Sequence, residues 1–352
     1  MTHHSYNSLD SGEALALLEQ HYDVGAGLYK LWASPGSVLA ALLKGWRAAR
    51  HPAQLHYAWD LQQAHSLDAA ICRTTIEALQ GLALDGVEKP NVLDAGCGIG
   101  GAASQVAQIR PDSQVVGMSI VRRQIEIARM RAAALGVGNA VFCHGSYLQT
   151  GYPDDSFDGI YAIESFCYTP TDQKPRLLAE MFRVLRPGRR LVIIDGYSRR
   201  EPATPDERRT IQDVLDGWTM PMPAPASQMR AVAEGAGFEV VHIVDATPHV
   251  IHSASRIAAI GTWVLRPLAM LARVPGMAAV LSPLGFASPA GAARFADACV
   301  SQHEVLRSGL GGYFVQVLAK PARTLSPAMP TCPAGVGANS EFPRQNDAQP
   351  GM

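Results

Sequence analysis

Charged side chains are scarce in this chain: Asp, Glu, Lys and Arg make up 17% of its 352 residues and cancel to a formal net charge of -1. No long-range field exists to gather a polyanion, so nucleic acid is not an expected partner. Cysteine is used sparingly too. Cys72, Cys97, Cys143, Cys167, Cys299 and Cys332 form no Cys-x-x-Cys pair and sit in apolar or glycine-rich surroundings, which reads as reduced thiols rather than a disulfide framework. No cluster of His, Cys and Asp has zinc spacing, and His3-His4 stands alone at the terminus, so no metal is expected from protein ligands. The opening Met1-Thr-His-His-Ser-Tyr6 lacks a basic segment followed by an apolar run, and the expected location is cytoplasmic. An unbroken membrane-length stretch is missing as well. Ile257 to Pro283 is greasy, but Arg266, Pro267, Arg273 and Pro275 interrupt it, so no transmembrane span is expected.

What is present is a core-forming composition, 47% hydrophobic, and one unusually informative stretch. Asn91-Val-Leu-Asp-Ala-Gly-Cys-Gly-Ile-Gly-Gly101 reads as an apolar strand that ends around Asp94 and runs into a turn of glycines. Gly96, Gly98 and Gly100 lack a Cβ, so the backbone can approach a flat ligand while the next helix aims its N-terminal N–H groups at the same place. Gly96, Gly98 and Gly101 equally satisfy the dinucleotide pattern, so the glycines alone leave the cofactor open. Two features favour S-adenosylmethionine over a nicotinamide. A carboxylate at Asp94 suits the ammonium of a methionine moiety and would repel a pyrophosphate. The next strand, Gln114-Val-Val-Gly-Met-Ser119, ends without the acid that a dinucleotide fold uses on its ribose.

Strand and helix patterns alternate from there. Strands are expected at Asn91–Ala95, Gln114–Met118, Ala140–His144, Gly159–Ile163 and Arg190–Asp195, with helices near Leu67–Leu82, Ala102–Gln108, Arg122–Ala134 and Thr171–Leu185. Such alternation builds a doubly wound α/β parallel sheet whose ligands collect at the carboxyl ends of the strands. Helices near Glu207–Leu215 and Gln228–Gly235 precede a sixth strand, Phe238–Ala246, and a last strand, Tyr313–Ala319, is expected antiparallel to the fifth. The expected organisation is an N-terminal helical lid over 1–75, a catalytic domain over 76–320 with a helical insertion at 250–310, and a disordered Pro- and Gly-rich tail over 321–352. The lid segment is rich in aromatics, among them Tyr22, Tyr29, Trp32, Trp46, His56-Tyr57 and Trp59.

Further along, Tyr161-Ala-Ile-Glu-Ser-Phe-Cys-Tyr-Thr-Pro170 and Glu180-Met-Phe-Arg-Val-Leu-Arg-Pro-Gly188 resemble the sterol and isoprenoid C-methyltransferases, a group of class I S-adenosylmethionine-dependent enzymes with a Rossmann-like seven-stranded sheet. Ser119 with Gln124 five residues on, Ser255-Arg256, Gly285-Phe-Ala-Ser-Pro-Ala-Gly291 and Gly309-Leu-Gly-Gly-Tyr-Phe314 extend the likeness over most of residues 20–320. The N-terminal signature departs from it. Tyr22, Asp23, Tyr29 and Trp32 remain, but Ala26 replaces a Thr, Lys30 stands where an acid is common and the Gly before Trp is missing, while after the fifth strand the usual acid-aromatic pair reads Asp195-Gly196. These departures fall in the substrate half and make an acyclic prenyl diphosphate as serious a candidate as a sterol.

The resemblance implies methyl transfer to an alkene carbon. The nucleophile is a weak π-bond and the product a carbocation, so the protein must supply proximity, a dry pocket, aromatic faces, a carboxylate and a base. Glu164 at the end of the fourth strand is the first candidate for cation stabiliser or base, with Phe166 and Tyr168 beside it. Tyr22 and Asp23 are second choices, and Trp32 and Tyr197 are candidate cation-facing rings. For S-adenosylmethionine the expected contacts are Asp94, Gly96, Cys97, Gly98 and Gly100, then Ser119 and Gln124 toward ribose and adenine, with Ser146 and Tyr147 bordering adenine by resemblance. A diphosphate substrate would find its anion site at Arg47, Arg50 and His51, with Mg2+; a solvated basic helix face is the other reading of that cluster. The expected partner is a small hydrophobic isoprenoid, with homo-oligomer formation left open. The competing functions are an O- or N-methyltransferase of a small molecule and a non-catalytic binder of the cofactor.

Overall fold

The computed structural model describes Gln54, residues 56–281 and residues 288–322. Tyr22, Asp23, Trp32, Arg47, Arg50 and His51, most of the expected lid, Gly285–Ala287 and the tail from 323 onward lie outside the described residues.

Seven strands form one sheet: β1 (Asn91–Ala95), β2 (Gln114–Ser119), β3 (Ala140–His144), β4 (Phe157–Ile163), β5 (Leu185–Ser198), β6 (Glu239–Asp245) and β7 (Gly311–Ala319). Their spatial order is β3-β2-β1-β4-β5-β7-β6, parallel throughout except for β7, which runs antiparallel to both neighbours. The central strands read as apolar runs because both faces are covered, and β4 is buried at every residue. Alternate residues sort to opposite faces. Val92, Val115, Tyr161 and Val192 join one core cluster; Leu93, Val116, Ile160 and Leu191 join the other.

Helices α1 (Leu67–Gly81), α2 (Gly101–Ile109), α3 (Arg122–Leu135) and α4 (Lys174–Val184) accompany the parallel strands. Ser66 caps α1 by accepting from the Ala69 N–H at 3.1 Å. After β5 come α5 (Pro205–Trp218), opened by a Thr204/Glu207 capping box, and α6 (Ala226–Gly235). Between β6 and β7 lie α7 (Thr247–Ile260), a π-helical turn (Gly261–Leu265), α8 (Arg266–Leu271), α9 (Met277–Leu281) and α10 (Pro289–Arg307). Among the described residues no helix is long and apolar enough to cross a membrane.

Three boundaries differ from the sequence reading for tertiary reasons. Strand β5 begins at Leu185 rather than Arg190 because Leu185 pairs with Phe157 before a register shift, which also starts β4 two residues early. The helix expected over Thr171–Leu185 opens as a separate 3-10 turn at Thr171–Gln173, with Pro175 in the first turn of α4. The insertion becomes helical already at Thr247, where Pro248 supplies a favourable first-turn φ.

Helix α10 is wedged between α5 and the π-helical turn. A Cβ on Gly217 would lie 2.3 Å from Ala298 Cβ and 2.5 Å from the Arg294 carbonyl oxygen, so these two helices touch backbone to backbone. Beside that contact Trp218 meets Phe295 edge-on, with ring centroids 5.0 Å apart. This helical layer places Val214, Trp218, Gln302, Val305 and Leu306 over the carboxyl ends of β1, β4 and β5.

Candidate active site

A cavity of about 240 Å³ opens where those strand ends meet the helical layer. Its walls come from Gln54, His56 and Tyr57 ahead of α1, from Asp94 in β1 and Cys97 and Gly98 after it, and from Gln124 on α3. Glu164, Cys167 and Tyr168 follow β4, Asp195 and Tyr197 end β5, and Trp218, Gln302 and Tyr313 close the far side.

On the β1 side, Asp94 is 2% exposed and accepts a hydrogen bond from the Tyr161 hydroxyl at 3.0 Å. Burial pushes its carboxyl up to about 7, against the hydrogen bonds from Tyr161 and the Ala103 backbone. The glycines divide their duties. Gly98 has φ +52° and open space where a Cβ would sit, so it is the point at which backbone faces the cavity. Gly96 is glycine for packing: a Cβ there would lie 2.3 Å from Ser165 Cβ, and the N–H groups of Gly96 and Cys97 are both spent on the Met118 carbonyl. Gly100 is likewise turned away, its N–H donating to the Cys97 carbonyl. Of the expected cofactor turn, Asp94, Cys97 and Gly98 border the cavity, while Gly96 and Gly100 hold the turn from behind.

Gln124 reaches the wall and Ser119 backs it, donating to Gln124 Oε1 at 2.8 Å. Ser146 and Tyr147 do not reach it. Ser146 Oγ accepts from the Leu148 N–H, and Tyr147 donates to the Ser165 carbonyl at 3.0 Å with its ring against Phe166. Phe166, expected on the substrate side, is 1% exposed in the core cluster of Leu177, Leu178 and Met181. The 3-10 turn that follows Glu164 (Phe166–Tyr168) rotates it to the opposite side from Tyr168, which does line the cavity. Tyr197 also lies where expected, on the wall.

Glu164 is the focus of the other side. Its φ of +48° is left-handed, a strained choice for a side-chain-bearing residue, and its N–H is held by the Ile194 carbonyl at 2.9 Å. One carboxyl oxygen accepts from both the Tyr57 N–H and the Tyr313 hydroxyl, each at 2.8 Å. The residue is part-buried and borders the cavity. Desolvation drives its carboxyl up to about 8, opposed by those two hydrogen bonds and reinforced by the nearby Asp195. Asp195 itself accepts from the N–H groups of Cys167 and Gly196, both at 2.8 Å, and burial raises it against the pull of buried Lys174. Tyr57 in turn donates its hydroxyl to Gln302 Oε1 at 2.8 Å and meets the Tyr313 ring edge-on. Carboxyls and rings therefore share one small, largely desolvated space.

His56, Tyr57, Trp218, Gln302 and Tyr313 were not among the expected site residues. His56-Tyr57 carried a signal as part of the aromatic segment before α1. Gln302 and Trp218 carried none, because their place depends on how α5 and α10 cross. Among the described residues there is no group of three His, Cys, Asp or Glu side chains set to hold a metal, and the five described cysteines are unpaired.

A buried carboxylate without a described counter-ion, open space over Gly98 and Gln124 on the same wall fit a ligand with a cationic methionine part and a flat nucleoside part. The comparisons agree. A methyltransferase-domain family profile matches residues 92–188. The O-methyltransferase rstn1 of Aspergillus nomiae is 30% identical over 187 residues, covering 53% of this chain and 80% of that protein. The sterol 24-C-methyltransferase erg6 of Aspergillus fumigatus is 34% identical over 173 residues, but only 45% of this chain and 42% of erg6 are matched. In three dimensions the chain is similar to the geranyl diphosphate C-methyltransferase of Streptomyces coelicolor A3(2), with a TM-score of 0.56 at 18% identity over 78% of this chain and 95% of that one. With the sheet order β3-β2-β1-β4-β5-β7-β6, the glycine turn and these likenesses together, the chain belongs to the methyltransferase-domain family and is a class I S-adenosylmethionine-dependent methyltransferase.

Proposed function

We propose that the protein transfers a methyl group to an alkene carbon of an isoprenoid, a prenyl diphosphate or a sterol, through a carbocation that is then deprotonated and, in a substrate of suitable length, cyclised. The observation that carries this reading is Glu164: a strained, part-buried carboxyl in a small cavity that also holds Tyr57, Tyr168, Tyr197, Trp218 and Tyr313. The C-methyltransferase name of the relative erg6 supports it.

When bound, S-adenosylmethionine supplies an electrophilic methyl carbon on a sulfonium. Asp94 would hold its ammonium, Gly98 would let the backbone approach, and Gln124 would face the nucleoside part. Glu164 is neutral in the free cavity at neutral pH. A positive charge beside it draws the proton off and leaves a carboxylate facing the developing cation. The aromatic rings contribute their negative faces and keep water away.

The segment over 1–75 is proposed as the lid, supported by the presence of Gln54, His56 and Tyr57 in the cavity wall. No lysine or arginine lines the described wall, so a diphosphate would rely on Arg47, Arg50 and His51, which lie outside the described residues. The name of the relative rstn1 favours a second reading, transfer to oxygen. The two separate cleanly. Incubation with labelled donor and a panel of geranyl, farnesyl, sterol and phenolic acceptors, read by mass spectrometry, should give a carbon-methylated isoprenoid that Glu164→Gln no longer makes. An O- or N-methylated product from Glu164→Gln at the wild-type rate would refute the alkene reading.

A further inference from the structure

Methyl transfer to an alkene carbon, a hydroxyl or an N–H amine ends with one proton to remove, and the described wall of this cavity holds few atoms able to take it. One oxygen of Glu164 is occupied by two donors and the other is left to face the developing cation, both oxygens of Asp195 are occupied by backbone N–H groups, and Asp94 borders the cavity on the donor side, bonded to Tyr161 and set to hold the ammonium. Among the fully buried polar side-chain atoms that the described residues contribute to the wall, two lack a hydrogen bond: Tyr197 Oη and His56 Nε2. The first belongs to a neutral phenol, a very weak base. The second belongs to an imidazole whose protonation is fixed by its other nitrogen.

His56 Nδ1 lies 3.0 Å from the Tyr57 carbonyl oxygen. A carbonyl only accepts, so Nδ1 carries the hydrogen, and in the neutral ring Nε2 is a bare lone pair. The same carbonyl accepts from the Thr74 hydroxyl at 2.8 Å, which pins the acceptor that sets the tautomer. The Tyr57 N–H is bonded to Glu164, so the imidazole and the carboxyl are held by the backbone of the same residue. His56 is 5% exposed, and leaving a buried acceptor without a donor costs stability on the order of 1–3 kcal/mol. Such a cost is commonly carried where the atom serves a ligand.

We infer that His56 Nε2 is the proton acceptor of the methyl-transfer reaction. In the alkene case the π electrons form the new carbon–carbon bond, and the pair of an adjacent C–H bond closes the new double bond. The proton passes to Nε2, and the imidazolium releases it to water when the product leaves. Burial lowers the His56 imidazolium to about 4, partly opposed by the bond to the Tyr57 carbonyl, so Nε2 stays unprotonated at neutral pH. A weak base is enough, because a proton next to a carbocation, or on a freshly methylated oxygen or nitrogen cation, is far more acidic than an imidazolium. The inference goes beyond the proposed isoprenoid reading and does not depend on which atom receives the methyl.

Two measurements test it on the full chain. In 15N-histidine-labelled protein at neutral pH, with the signal assigned by backbone correlations in the wild type, His56 should show a protonated Nδ1 and an unprotonated Nε2. A protonated Nε2 overturns the inference whether or not a substrate is in hand. In turnover, His56→Gln should cut kcat by roughly 10²-fold or more, leave the donor dissociation constant within about twofold by calorimetry, and recover part of its rate with added imidazole. A His56→Gln enzyme that binds the donor and turns over at the wild-type rate overturns it. If that variant does not fold, the wild-type tautomer decides. Failure of the alkene reading shows separately, in the identity of the wild-type product.

Discussion

The two sides of the cavity are built by different means. On the β1 side the wall is backbone and short-range: Asp94, Cys97 and Gly98 are neighbours in sequence, and Ser119 braces Gln124 five residues away. On the far side the wall is made of side chains drawn from distant segments. Tyr57 bonds Gln302 across 245 residues, and Tyr313 bonds Glu164 across 149. The first side rests on one short glycine turn braced by β2 and the loop after β4; the second exists only after β7 has paired with β5 and α10 has seated on α5. On the proposed function, binding of the cofactor falls to the β1 side and choice of acceptor to the assembled one. The largest expected effect tests that division. Glu164→Gln should lower kcat on the alkene substrate by roughly 10³-fold, the scale of a lost electrostatic stabiliser. It should leave the donor dissociation constant unchanged by calorimetry, and a parallel loss of donor affinity would merge the two sides into one.

The converse variant is Asp94→Asn. Loss of a charge-assisted hydrogen bond to the ammonium should cost about 1.5–3 kcal/mol of donor affinity, read as a rise in dissociation constant, with kcat at saturating donor nearly preserved. This asymmetry follows what could be read in the chain beforehand. The strands of the sheet were legible because their two buried faces demand continuous apolar runs. The turn was legible because three glycines follow an apolar strand within a few residues, and Asp94 beside them narrowed the cofactor. The division of labour among the glycines was not, since the contact of Gly96 with Ser165 and the open space over Gly98 are set by where the loop after β4 returns. Phe166 was misplaced for a related reason: nearness to Glu164 in sequence says nothing about which way a 3-10 turn sends the next ring. Ser146 and Tyr147, expected at the adenine side by resemblance, stand outside the cavity wall, with the Tyr147 hydroxyl bonded 18 residues away to the Ser165 carbonyl. Tyr313 and Gln302 have meaning only through partners far along the chain.

If the far side depends on assembly, loosening the assembly should damage it without touching the β1 turn. Gly217→Ala does this from outside the cavity. The added methyl would stand 2.3 Å from Ala298 Cβ and against the Arg294 carbonyl, so α5 and α10 must part. Overpacking of this kind costs on the order of 1–3 kcal/mol, seen as a lowered midpoint in thermal unfolding. In the same protein, Trp218 on α5 and Gln302, Val305 and Leu306 on α10 would shift relative to Glu164, so kcat/KM for the acceptor should fall while donor affinity holds. Unchanged acceptor kinetics at a reduced unfolding midpoint would show that the helical layer stabilises the fold without shaping the site.

The smallest expected effect is a pH dependence to which both sides contribute and which can be apportioned between them. Asp94 is raised from 3.8 to about 7 and Glu164 from 4.5 to about 8, in both cases chiefly by desolvation. The unfolded chain ionises these carboxyls first. The stability they contribute is therefore complete below about pH 4 and is lost as pH rises toward their folded values. His56 acts in the opposite sense: lowered from 6.5 to about 4, it favours the folded state fully above pH 6.5 and less as pH falls. Between pH 6.5 and 8 only the carboxyls remain, and the free protein should lose stability as pH increases through that window. Glu164 is partly solvated within the cavity, so its share is discounted for screening, and a total on the order of 1–2 kcal/mol is expected from denaturant titrations. Asp94→Asn should remove the part of the slope that ends near pH 7, and Glu164→Gln the part that continues toward pH 8. Binding of the cationic donor favours both carboxylates, so it should release protons at neutral pH and flatten the slope in the wild type. Donor binding that releases the same number of protons in Glu164→Gln as in the wild type would mean that the sulfonium charge is felt only at the β1 side, and that the acid of the far side meets positive charge first on the substrate.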